Sequence, residues 1–141
     1  MADKLDEAVA TRLHSASIRL LRLLRREDEE AGMSGPRLSA LSVVVFGGPV
    51  SLAELAAAEQ VRAPTMSRIV DALVDAGMVT RTTLASDRRK VRIAATEAGE
   101  QLLKAGQQRR VKALAERLGR LAESERRALA RGVEILERVV K

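Results

Sequence analysis

Cysteine is absent from the 141 residues. Disulfides, zinc–thiolate sites and thiol-based redox sensing are therefore excluded. Tryptophan and tyrosine are also absent, and Phe46 is the single aromatic residue. A core must then be built from Leu, Val, Ile, Ala and Met, the mix of an all-helical protein. One histidine, His14, leaves too few ligands for a nitrogen-rich metal site, so no metal or cofactor is expected. His14 itself reads as a helix-surface or interface residue. Without Cys or Tyr, with one His and no Gly-rich phosphate loop, no nucleophile–base pair is visible, which argues against an enzyme. No run of 18 apolar residues exists, so no membrane partner is expected. The opening Met1-Ala2-Asp3-Lys4-Leu5-Asp6-Glu7 lacks the apolar stretch of a signal peptide, and cytoplasmic localisation is the expectation.

Hydrophobic residues make up 46% of the chain, a globular composition. A chain of this length buries about 68% of its extended surface, enough for a real core. The net charge is +6, carried by 25 basic residues of which most are Arg. Its distribution is uneven. Residues 62–92 carry seven basic groups against three acidic ones, whereas residues 1–35 are slightly acidic. A concentrated basic region points to a polyanion partner. A GC-rich genome that favours Arg gives part of the same signal, so charge alone does not settle the matter.

Apolar residues recur at helical spacing from about Leu5 to Glu30, through Val9, Leu13, Ile18, Leu20, Leu21 and Leu24. Gly32 and Gly35-Pro36 end that stretch, and the run Glu27-Asp28-Glu29-Glu30 reads as a solvated end. A second helix runs from Pro36 through Leu38, Leu41, Val44 and Val45 to the breaker Gly47-Gly48-Pro49. Ser51-Leu52-Ala53-Glu54 is a capping box that opens a third helix of about eight residues, with Leu52, Leu55 and Ala56 on its apolar face. Gln60-Val61-Arg62-Ala63 is a short turn. Pro64 starts a fourth helix, with Met66, Ile69, Val70 and Leu73 on one face and Thr65, Ser67, Arg68 and Asp71 on the other. Gly77 ends it.

After Gly77 the period changes to that of strands. Val79-Thr80-Arg81-Thr82-Thr83 is rich in β-branched residues, and Lys90-Val91-Arg92-Ile93 alternates strictly. Ala85-Ser86-Asp87-Arg88-Arg89 reads as the polar turn between two strands that stand unsupported on one edge. Thr96 caps a long helix to about Leu121, and a last helix covers about Glu123 to Val140. The expected fold is mostly α with a small β-wing: a winged helix-turn-helix at 36–95 between dimerisation helices at 1–35 and 96–141. Leu5, Val9 and Leu13, with Leu129, Val133, Leu136 and Val140, form apolar stripes that one winged domain cannot cover, which predicts a homodimer.

Short helix, tight turn, helix and basic hairpin form a constellation suited to double-stranded DNA. A major groove admits one helix, here with an apolar back and a small or basic front of Pro64, Thr65, Ser67 and Arg68. A narrow minor groove attracts Arg, here Arg88 and Arg89 at the hairpin tip. Lys90 and Arg92 fall on the outward face, because Val91 and Ile93 take the inward one, and read as phosphate contacts. Asp87 is a poor DNA contact, since carboxylate and phosphate repel. Its expected role is to shape the wing by pairing with a nearby Arg. A sequence-specific regulator is the favoured reading, and a non-specific or architectural DNA-binding protein is the alternative.

At Leu52-Ala53-Glu54-Leu55-Ala56, Pro64-Thr65-Met66-Ser67-Arg68, Leu73-Val74-Asp75-Ala76-Gly77-Met78-Val79, Asp87-Arg88-Arg89 and Thr96-x-x-Gly99 the chain resembles the MarR (multiple antibiotic resistance regulator) family. The resemblance spans the whole chain. It implies a homodimeric transcription regulator, in many relatives released from DNA by a small phenolic or anionic ligand. Arg62 stands where the family commonly has a small hydroxyl residue, so a weaker helix cap is expected, with Arg62 itself at the DNA. The shortage of aromatic residues predicts an aliphatic-lined crevice with Arg at its mouth, fitted to a small organic anion as effector.

Overall fold

The computed structural model describes residues 1–29 and 32–141, except for the side chains at 84 and 87–89. Helix α1 covers Lys4–Asp28. It begins on a reciprocal cap in which the Asp3 carboxylate accepts from the Asp6 N–H and the Asp6 carboxylate from the Asp3 N–H. Helix α2, Gly35–Gly47, takes Pro36 in its first turn, where a missing N–H costs nothing. Strand β1 is only Val50–Ser51, and Ser51 then caps α3, Leu52–Ala58, through the expected box with Glu54. Helix α4 spans Ala63–Asp75. Strands β2, Val79–Leu84, and β3, Asp87–Ala95, follow, then α5, Glu97–Leu118, and α6, Glu123–Val139.

The core lies wholly within the middle of the chain. Leu41, Val44, Leu55, Met66, Val70, Leu73 and Ile93 are its largest fully enclosed side chains. They come from α2, α3, α4 and the sheet, so burial of apolar area locks the helix-turn-helix against the wing base. The apolar faces expected for α3 and α4 are the faces that meet here, with Leu52 and Ile69 half-buried at its edge. By contrast α1 and α6 bury no residue at all.

Two expectations need correction. The hairpin turn is the two residues Ala85-Ser86, and Asp87–Arg89 belong to β3 rather than to a five-residue tip. Leu84 pairs with Asp87 across this turn, and a bulge on β3 separates that pair from Thr83↔Val91. β1 pairs antiparallel with β3 at Val50↔Ile93 and Ser51↔Arg92, so β3 is the central strand of three and β2 keeps the open edge expected of the hairpin. A two-residue strand carries too short an alternation to be read from sequence. Lastly, Asp28 is not a solvated end. Its carboxylate pairs with Arg110 of α5, half-buried on both sides. Glu30, the expected end of α1, lies outside the described residues.

Candidate nucleic-acid interface

Helix α4 is positioned by its back. Met66, Val70 and Leu73 are fully enclosed, which fixes the rotation of the helix about its own axis. The opposite face then carries Pro64, Thr65, Arg68 and Asp71 into solvent, while Ser67 is half-buried. The turn before it is tight because Gln60 adopts a left-handed conformation, φ 55°. Arg62 occupies the cap position with no side-chain hydrogen bond to the helix, as a residue without a short acceptor must. The first N–H groups of α4 are thus left without a capping side chain, at the end where Arg62, Pro64 and Thr65 are all exposed.

The wing supplies the second row of cations. Lys90 and Arg92 are exposed, whereas Val91 is half-buried and Ile93 enclosed, so the strand alternates as its sequence does. A groove of about 610 Å³ runs between the wing base and the starts of α3 and α4, lined by Ser51, Leu52, Ala63, Lys90 and Arg92 among others. The two cations expected at phosphates therefore share one groove with the start of the fourth helix. The expected minor-groove pair Arg88 and Arg89, and the shaping residue Asp87, have side chains outside those described.

Two contacts escaped sequence reasoning. Arg81 Nη2 donates to Asp71 Oδ1 at 2.6 Å, tying β2 to the exposed face of α4. Asp71 and Arg81 were both visible, but ten residues and a glycine turn separate them, and only the path of the turn joins them. The other contact joins α5 to the same turn. Thr96 Oγ1 accepts from the Gly99 N–H at 3.1 Å and donates to the Gly77 carbonyl at 2.6 Å. A Cβ at Gly99 would overlap the Met78 carbonyl oxygen. Glycine at this position lets α5 sit directly on the chain leaving α4.

A second cavity, of about 740 Å³, opens between α1, α2 and α5. Met33, Pro36, Leu38 and Leu103 give it the aliphatic lining expected of a crevice, with Arg25 and Arg110 beside them. Asp28 and Glu29 line it too, and Asp28 already engages Arg110.

Comparisons with known proteins agree with this geometry. A family model described as MarR family matches residues 36–91, the helix-turn-helix and most of the wing. An HTH-type transcriptional regulator of Mycobacterium bovis is 36% identical over 131 residues, which is 93% of this chain and 92% of the relative. A transcriptional regulator protein of Pseudomonas aeruginosa superposes with TM-score 0.81 at 28% identity, covering 99% of each chain. The MepR protein of Staphylococcus aureus, in a structure with a bound oligodeoxyribonucleotide, shares the fold at TM-score 0.74 and 16% identity, over 94% of this chain and 98% of that one.

Proposed function

The chain belongs to the MarR family of transcriptional regulators, and from that premise we propose that it works as a cytoplasmic homodimer that represses transcription from a pseudo-palindromic operator. Helix α4 enters the major groove and Arg68 reads a base edge there. Arg88 and Arg89 reach the flanking minor groove, and Arg62, Lys90 and Arg92 hold phosphates. The observation that carries this reading is the outward face of α4: small residues at its start, one exposed Arg, and alongside it a groove that carries Lys90 and Arg92. Residues 1–35 and 96–141 supply the dimer. Its support is that Leu5, Val9, Leu13, Leu129, Val133 and Val140 all stay exposed in the single chain, with Leu136 half-buried. A two-fold axis would set two α4 helices about 34 Å apart, one turn of DNA.

The test is selection of bound duplexes from a random pool, with light scattering on the same sample. A dimer that enriches an inverted repeat with half-sites about 10 bp apart agrees with the proposal. A dimer that binds without enrichment makes the chain an architectural DNA-binding protein. We infer further that a small amphipathic anion is the effector, seated in the cavity between α1, α2 and α5 with Arg25 near its charge. A tenfold loss of DNA affinity needs about 1.4 kcal/mol of coupling between the two sites. Calorimetry across a panel of organic anions, with and without the selected duplex, measures it. Anions that bind equally well in both cases remove the effector from the scheme.

A further inference from the structure

Arg68 and Asp71 lie three residues apart on α4, and both are exposed, so their side chains are neighbours on the helix surface. Of the four positions within reach along the helix (Pro64, Thr65, Asp71 and Ala72) Asp71 alone is a carboxylate. A free carboxylate there competes with a base edge for the donors of Arg68. In the structure it is not free. Asp71 Oδ1 accepts from Arg81 Nη2 at 2.6 Å, and among the described residues Arg68 has no carboxylate partner. The placement of Arg81 follows from the sheet. Arg81 faces Ile93 across the ladder, so the two share the face of the sheet that packs on α4. Ile93 is enclosed in the core, while Arg81 emerges at its edge beside Asp71.

We propose that Arg81 is a positioning residue for base readout: by holding Asp71 toward the wing, it leaves the guanidinium of Arg68 unpaired for the acceptors of a guanine edge. The proposal rests on Arg68 reading a base. An exposed ion pair adds little to folding stability, so the pair matters through what it withholds from Arg68.

The experiment uses the full-length protein with Arg81→Met, and with Arg81→Met combined with Asp71→Asn, which restores the original net charge. Affinity is measured for the selected duplex and for random duplex at fixed salt. The ratio of the two is the readout, because a bulk charge effect moves both alike. Arg81→Met is expected to lower the ratio about fivefold, the upper end for an exposed ion pair. The double variant is expected to restore it. A simple brace between β2 and α4 gives the opposite result, since the double variant also lacks the brace and stays as poor as Arg81→Met; that outcome overturns the proposal. Relaxation of the Arg68 Nε–H signal in the DNA-free protein provides a second measurement. It should be mobile in the wild type and the double variant and restrained in Arg81→Met; equal mobility in all three overturns the proposal. If the pool yields no preferred duplex, base reading fails as a function, while the Arg68 signal still decides whether Arg81 keeps Asp71 from it.

Discussion

In the proposed DNA complex, single side chains divide the work by the face they occupy. Arg68 stands on the outward face of α4, opposite three enclosed apolar residues. Replacing it with Ala should weaken binding to the selected duplex by about 1–3 kcal/mol and relax preference at one base pair per half-site. Arg92→Ala should weaken selected and random duplexes alike and lower the salt slope by about 1. Titrations at several salt concentrations separate the two, and equal losses on both duplexes for Arg68→Ala would remove it from base readout. Gln60 is a residue-scale feature of another kind. Its left-handed backbone is disfavoured for side chains branched at Cβ, so Gln60→Val should cost about 1–2 kcal/mol in urea unfolding, whereas Gln60→Gly should not.

Between elements, the decisive contacts gather around the chain leaving α4. Thr96 and Gly99 seat α5 on Gly77 and Met78, so α5, which reaches Arg110 beside the cavity, begins directly on the end of α4. Gly99→Ala places a methyl group on the Met78 carbonyl, backbone that cannot step aside. The expected loss is about 3 kcal/mol in urea unfolding, with DNA affinity reduced even where the fold survives. Ser51→Ala is the milder comparison. It removes the acceptor of the Glu54 N–H and should cost about 1 kcal/mol without changing the salt slope of binding. The capping box at Ser51 was legible in the sequence because it is a local pattern of four residues. The seat of α5 was legible only as the spacing Thr96-x-x-Gly99; the partner of those residues, a turn nineteen positions earlier, was not.

At the scale of the whole molecule, the contrast is between a closed core and two open helices. Among the described residues, every fully enclosed apolar side chain belongs to α2, α3, α4 or the sheet. The stripes of α1 and α6 have no such cover. Leu13→Glu or Val133→Glu should therefore leave the core intact by circular dichroism and give a monomer by light scattering at micromolar concentration. Affinity for the selected duplex should fall at least about 100-fold, because the second half-site is no longer tethered to the first. A variant that stays dimeric would place the interface elsewhere.

The sequence by itself determined the elements and their order. Helix rhythm, the capping box at Ser51, Pro64 at a helix start, Gly77 at an end and strict alternation from Lys90 to Ile93 each act within a few residues, where the chain's own geometry sets the outcome. It also determined which faces are apolar, and so the rotation of α4 that turns Arg68 outward. Tertiary structure alone decided four things: that β1 joins the wing, that Asp28 meets Arg110, that Arg81 takes Asp71, and that Thr96 reaches Gly77. Each depends on two segments brought together by the packing of a third. A two-residue strand has no period to read, and a charged residue on a helix carries no mark of which distant cation will reach it. Charge is long-ranged and undirected, so its partners are chosen by where the core places the backbone.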